Sequence, residues 1–540
     1  MARQIESRLK ITCTLIARTP IHVGGAGGNV DTDLALAVNG KGDLYIPGTS
    51  IAGAFRGWFE TRAGDEENAE ARKKIARLFG YQKQTRGTSP EKNPPDEHAS
   101  FLLVEDVQLT PPPGKEALFA EIRDGVGIDR FTGAAAKQIK FDRAILPRGT
   151  RLNLDVLVEL NRDETARKEA REMIDTLLQA LRDEEIRFGA ARSRGLGRVE
   201  VAELHLVEQG LFTKAALLDT LRRKEKPIAP GPAKREELGF VPRPRIIFDI
   251  DWKPRGPLMV KAERDGFAVD MLPLTSAIDA DLTFALPGSS LKGAFRSQAE
   301  RIVRTLLSVE AVKIVERKQD FLIQIDVKKP GLIGWVFGSA GDSQKEDERQ
   351  YSRLPGLSAV SFDDCYATET RFSAERWAAI ERAKDEQVLR QAIQEAAPGV
   401  LEQAFHVAID RWLGSAADGM LYSVLEPHGV AWEPIRLTLD LARLPDPETG
   451  QRALMLLLLV LRDFIAGRIP LGFGVNRGMG AVEVTQIRCS SRDCAAVDWL
   501  AALPENLMTD GKLRTPDALR EKLETVWRSW IQSETGKEAQ

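Results

Sequence analysis

Two glycine-rich segments carry the residues best suited to chemistry in this 540-residue chain. They are Phe188-Gly189-Ala190-Ala191-Arg192-Ser193-Arg194-Gly195-Leu196-Gly197-Arg198-Val199 and Leu471-Gly472-Phe473-Gly474-Val475-Asn476-Arg477-Gly478-Met479-Gly480-Ala481-Val482. In both, the missing side chains let backbone approach a ligand closely and offer N–H donors, while Arg194 or Arg477 is aimed at phosphate. The plainer reading is a tight helix-to-strand turn with an exposed arginine. Neither segment is a P-loop, because no Gly-Lys-Ser/Thr follows, and Gly472-x-Gly474 lacks the acidic partner of a dinucleotide fold. A second pair of segments, Pro47-Gly48-Thr49-Ser50-Ile51-Ala52-Gly53-Ala54-Phe55-Arg56 and Pro287-Gly288-Ser289-Ser290-Leu291-Lys292-Gly293-Ala294-Phe295-Arg296, reads as a turn opening a helix. Ser50 and Ser290 are the expected caps of its free N–H groups. Cys489 and Cys494 alone make a poor zinc site, which wants three or four ligands.

These segments belong to one module used twice. Between them, Leu78-Phe79-Gly80 returns as Val336-Phe337-Gly338, and Gly127-Ile128-Asp129-Arg130-Phe131 as Ala408-Ile409-Asp410-Arg411-Trp412, in the same order. The offset between equivalents grows along the chain, so the second copy carries insertions, expected near Lys345–Arg349 and in the helical stretch Ser373–Ala397. Each copy opens with an alternating strand, Leu9–Ala17 or Ile246–Trp252. A helix follows the Pro-Gly turn, then strands (Phe101–Leu109, Arg151–Glu159; Ile435–Leu441), a helix (Glu164–Arg182; Arg452–Ile465) and a last strand. That order predicts an α+β fold of two tandem ferredoxin-like, RRM-like domains with insertions. The divisions are a first domain at residues 1–223, a stiff, solvated Pro-rich linker at 224–244, a second domain at 245–500 and a helical extension at 501–540. In the extension, Thr515 is the expected cap of a helix whose Leu519, Leu523, Val526, Trp527 and Trp530 share a face that must pack on something. Gln82 to His98 reads as a mobile polar loop.

Composition excludes little beyond disorder. Charged residues make up 29% and hydrophobic ones 43%, with a formal net charge of −3. Any nucleic-acid contact therefore depends on local basic patches. Four scattered cysteines fit reduced thiols, the N-terminus lacks a signal peptide's apolar stretch, and the apolar run Leu454 to Leu461 is too short to span a bilayer. The expectation is a cytoplasmic protein with no membrane partner.

Together, the Pro-Gly-Ser/Thr-Ser-x-x-Gly-Ala-Phe-Arg and Ser/Asn-Arg-Gly-Leu/Met-Gly segments resemble those of the RAMP superfamily of CRISPR proteins, over most of both copies. The Gly127–Gly133 segment and its basic surroundings narrow the resemblance to backbone subunits of type III effector complexes, and two units in one chain are similar to the fusions of the type III-D branch. The resemblance implies a ribonucleoprotein subunit holding guide crRNA against complementary target RNA beside other backbone subunits, a large polymerase-like subunit and small subunits. It implies RNA contact at Gly24, Gly25, Ser50, Arg56, Arg192, Arg194, Gly195 and Gly197 in the first copy, and at Ser290, Lys292, Arg296, Asn476, Arg477, Gly478 and Gly480 in the second. A hairpin after Asp129 or Asp410 would act as a thumb, with Arg130, Lys137, Lys140, Arg143 and Arg411 facing phosphate; a solvated charged hairpin is the alternative.

Target cleavage in such proteins is ascribed to an aspartate in the loop after the first strand, which matches Asp31 here and Asp270 in the second copy. A carboxylate there would orient the neighbouring 2′-OH or, with Asp33 joining Asp31, hold Mg²⁺ or another divalent cation. This makes an RNA-guided endoribonuclease the leading expectation. A catalytically silent guide-RNA scaffold, and a guide-processing endoribonuclease using His22, are the alternatives.

Overall fold

The computed structural model describes residues 5–25, 32–64, 68–82, 97–112, 120–136, 138–224, 227–263, 265–313, 318–325, 331–339, 356–495 and 497–536. Asp31, Lys137, the centre of the polar loop after Gln82 and the stretch Lys345–Arg349 lie outside these residues.

The chain forms two compact units. One comprises residues 1–121, 144–192 and 196–242; the other comprises 122–143, 193–195 and 243–540. The first unit is built on β1 (Ile5–Ala17), β2 (Tyr45–Ile46), β3 (Leu102–Val104), β4 (Val107–Thr110), β7 (Arg151–Asn161) and β8 (Val199–Gly210), with α1 (Gly48–Glu60), α2 (Ala69–Phe79) and α3 (Glu164–Arg182). The sheet runs β2–β4–β7–β1–β8, with β3 also on β7. The first strand thus lies between the last two, as the ferredoxin-like βαββαβ order requires. Leu9, Ile11, Cys13 and Leu15 alternate into the core of this unit.

In the second unit, β9 (Arg245–Pro254), β12 (Val360–Phe362), β16 (Ile435–Asp440) and β17 (Val482–Arg492) run in the order β12–β16–β9–β17. This repeats the same topology, with α5 (Gly288–Leu307) and α10 (Pro447–Ile465) as its two helices. The expected insertion is present as α8 (Ala374–Glu381) and α9 (Glu386–Ala396). A hairpin accompanies each copy. β5 (Glu121–Gly125) pairs with β6 (Phe141–Ile145), and β14 (Leu401–Ile409) with β15 (Ala416–Pro427). Asp129 and Asp410 do not precede these hairpins; they sit at the turns. Each aspartate accepts from the amide two residues on, Phe131 at 2.9 Å or Trp412 at 2.7 Å, an Asx-turn that closes the loop.

Two expectations are corrected. The Pro-rich segment is not wholly solvated: Leu238 and Phe240 are buried in the first unit, where Phe240 lies 5.1 Å from Phe59 between ring centroids and Arg235 reaches Glu185 at 2.9 Å. The helix α11 (Asp517–Thr535) is capped by Pro516 and not by Thr515. It belongs to the second unit, where Leu519, Leu523, Trp527 and Trp530 join the core against α10 and α5. Among the described residues no helix is long and apolar enough to cross a membrane.

Phe248 on β9 is fully buried among these helices. Phe248→Ala leaves a cavity costing about 3–5 kcal/mol, read as a lowered midpoint in urea denaturation.

Candidate nucleic-acid interface

The glycine-rich segments are closed loops whose amides are partly spent on the fold. Gly197 donates to the Pro20 carbonyl at 2.8 Å and Gly480 to the Pro257 carbonyl at 2.9 Å. Both have positive φ, 90° and 80°, and a Cβ at either would overlap a backbone carbonyl, of Phe188 or of Leu471. These two glycines are therefore required by closure, and their N–H groups are not open donors. Gly25 likewise donates to Ala35, at 3.2 Å. Gly24, Gly25, Arg192, Asn476, Arg477 and Gly478 remain exposed.

The caps expected at Ser50 and Ser290 are also corrected. The N-cap residues are Pro47 and Pro287, without side-chain cap bonds, and the amides of Gly48 and Gly288 donate to Asp106 Oδ1 at 2.8 Å and Asp364 Oδ1 at 2.7 Å. A carboxylate at a helix N-terminus satisfies a free donor and favours the dipole, but it also occupies the place a phosphate would take. Sequence reasoning missed both aspartates. Their signal was a further repeat match, Val104-Glu105-Asp106 against Phe362-Asp363-Asp364. Asp364 also accepts from Arg123 of the β5–β6 hairpin and, at 3.2 Å, from Tyr366 Oη.

Several predicted phosphate ligands prove to be ion-paired. Arg56 bonds Glu60 at 2.7 Å, and its counterpart Arg296 bonds Glu300 at 2.7 Å. Arg130 bonds the same buried Glu300 at 2.6 Å, while its backbone amide donates to Gln324. Against the burial that pushes it up, hydrogen bonds from Gln324, Phe131 and Thr132 hold Asp129 below the usual carboxylate range. Lys140 pairs with Asp124 at 2.9 Å, and Arg411 is exposed.

What the second unit does bring together is a cationic cluster. Lys292, one turn into α5 and 8% exposed, donates to Ser358 Oγ at 2.5 Å and Ser193 Oγ at 3.2 Å. Burial first, then the charges of Arg194, Arg296 and Arg443, press its ammonium well below its usual range. Arg194, exposed at its surface, is lowered by partial desolvation and by Arg296, and Arg143 by burial and by Arg194; Arg143 Nε is buried without a hydrogen-bond partner. Like charges at such range oppose burial unless an anion joins them.

The candidate carboxylate Asp270 is exposed and fixed. Its Oδ2 accepts from Ser423 N at 2.7 Å and Ser423 Oγ at 3.0 Å, on β15 of the second hairpin. Arg477 lies over Tyr422, 5.2 Å from the ring centroid. His22 is buried with Nδ1 2.7 Å from the Ala144 carbonyl oxygen, and Asp33 is exposed. Among the described residues no three His, Cys, Asp or Glu side chains come together to hold a metal.

Duplicated ferredoxin-like sheets, each with a glycine-rich loop and a hairpin, define a tandem α+β protein with a basic site in its second unit. The sequence model of the RAMP superfamily matches residues 14–200 and 274–483, and the chain belongs to that superfamily. Membership supports a CRISPR-associated, RNA-binding backbone role. Among curated proteins the sequence finds no significant match.

Two glycines of the second loop differ in tolerance. Gly478 has φ of 89° but faces open space, so Gly478→Ala costs about 1–2 kcal/mol, the strain of a left-handed alanine. Gly480→Ala adds overlap with the Leu471 carbonyl and lowers the denaturation midpoint further.

Proposed function

We propose that this chain is a backbone subunit of a type III CRISPR effector complex, of the fused type III-D kind, that holds guide crRNA and cleaves the paired target RNA. The observation that carries the reading is the cluster of Lys292, Arg194 and Arg143, cations whose pKa values are lowered by desolvation and by neighbouring like charge and which suit a phosphate of the guide. Partners follow from that role: guide RNA, target RNA and the other subunits of the complex.

Cleavage is assigned to Asp31 and Asp270. At Asp270 the Ser423 bonds fix one carboxylate oxygen. The carboxylate takes the proton of a neighbouring 2′-OH, whose oxygen attacks the adjacent phosphorus. The bond from phosphorus to the 5′ oxygen breaks, that oxygen takes a proton from solvent, and a 2′,3′-cyclic phosphate remains. Asp33 beside Asp31 is the proposed pair for Mg²⁺ or another divalent cation, which would supply charge stabilisation. Around Asp270 the described side chains do not assemble such a site. The buried, carbonyl-bonded His22 disfavours the guide-processing reading.

Lys292→Met tests the binding reading. Folding lowers the pKa of Lys292 below its unfolded value, so this group's contribution to stability rises as pH climbs through that window. The variant is expected to lose this pH dependence of stability and about tenfold in guide-RNA affinity, with the salt dependence falling by roughly one phosphate. Unchanged affinity rejects the assignment. Cleavage of labelled target by the guide-loaded complex tests the rest: Asp270→Ala removes one set of cuts, Asp31→Ala another, both with target binding intact, and EDTA reports the metal. Unchanged cutting in the double variant leaves a silent guide-holding scaffold.

A further inference from the structure

The first unit carries a helix that is held by its small residues and displays its large ones. This is α4 (Lys214–Leu221), which follows β8. Thr213 Oγ1 caps it by accepting from Ala216 N at 3.2 Å, and Thr220 Oγ1 donates to the Gly210 carbonyl at 3.3 Å. A Cβ on Gly210 would stand 2.6 Å from the Ala216 Cβ, so Ala216 and Thr220 form the face that lies on the end of the strand. At about 3.6 residues per turn, Leu217, Leu218 and Leu221 point well away from that face. They are 42%, 37% and 71% exposed. The charges serve the helix no better. Lys214 stands in its first turn and Asp219 in its last, each at the end where its sign opposes the helix dipole. A short helix is stabilised by an apolar face packed on its fold, and here three leucines face water instead. Local choices that work against folding point to a surface kept for binding.

Length and charge select the occupant. Eight residues span about 12 Å, too little for the roughly 800 Å² that each partner of a stable dimer covers, so a short segment fits better than a second copy. A membrane surface would need a larger apolar face. Lys214 lies one turn before Leu218 and Arg222 one turn after it, followed by Arg223 and Lys224, all exposed. Asp219 is the one acidic residue of the segment 214–224. Aliphatic side chains give a nucleobase no ring to stack on, whereas the leucines of an amphipathic helix interdigitate with them while its carboxylates pair with the cations. We propose that α4 is the docking face for an acidic, leucine-bearing helical segment of a partner protein. The assignment does not rest on the RNA-binding reading above.

The test uses the full chain and three fluorescein-labelled synthetic helices of roughly 15 residues. One has leucines on one face and glutamates on the other, the second has lysine for glutamate, and the third has serine for leucine. Fluorescence polarisation should rise with the first alone. Leu217→Ser combined with Leu221→Ser should weaken that binding about tenfold, and Arg222→Glu combined with Arg223→Glu should weaken it likewise while admitting the lysine peptide. The proposal is overturned if the glutamate peptide does not bind, if the lysine peptide binds wild type equally, or if the leucine variant binds as wild type does. A fall in the urea midpoint of the leucine variant also overturns it, by making those leucines part of the fold. A concentration-dependent dimer, or binding to phosphatidylserine vesicles, that disappears with the leucines overturns it in favour of a second copy or a membrane. Guide-RNA affinity should be equal in wild type and the leucine variant, and its loss with the leucines gives the face to RNA. A wild-type chain that binds the glutamate peptide and no guide RNA rejects the RNA reading and supports this one.

Discussion

The second unit is organised around one buried carboxylate. Asp364 takes the first free amide of α5 on one oxygen, and Arg123 and the Tyr366 hydroxyl on the other. A charge with side-chain exposure of 0% is tolerated only when its lone pairs are filled and a cation is near. Arg123 supplies that cation, which ties the β5–β6 hairpin to the start of α5. Everything further along α5 inherits this position: Lys292 one turn on, Arg296 the next, and Glu300 the next, where Arg130 of the same hairpin returns. The first unit uses Asp106 in the same way on Gly48, with Arg56 and Glu60 following.

The basic site is a consequence of that placement. Glu300 is bonded by Arg130 and Arg296, and Asp364 by Arg123, so these two carboxylates are already committed. Lys292 is left with two serine hydroxyls, and Arg194 and Arg143 add charge of the same sign. Folding accepts an unfavourable arrangement here, and such local conflicts are expected where function overrides stability. A polyanion relieves it; a neutral ligand does not.

Much of this was legible in the sequence. The duplication and the βαββαβ order followed from repeat matching and periodicity, because strands and helices announce themselves through buried alternation such as Ile246, Phe248, Ile250 and Trp252, whereas the meeting of Lys292 with Arg194, from different copies, did not. The pairing of charges was readable too, since an arginine with a glutamate four residues on occurs in both copies, at Arg56 and Arg296. Other features were not. Asp364 lies far in sequence from both Gly288 and Arg123, and an aspartate pair near a strand end looks solvated. Leu238 and Phe240 were hidden within a proline-rich stretch whose composition suggested solvent. Phe405, Val407 and Ile409 alternate like a core strand, yet all three are exposed on the hairpin, because periodicity reports that one face differs from the other and not whether the apolar face is covered.

The central claim is that RNA lies on the face carrying Lys292 and Arg194. Ultraviolet crosslinking of guide RNA to the intact complex, followed by mass spectrometry of the crosslinked peptides, tests it most directly. Crosslinks are expected in the segments 188–198 and 288–296 of this chain. Crosslinks confined to other surfaces, with those two segments unmodified, would contradict it.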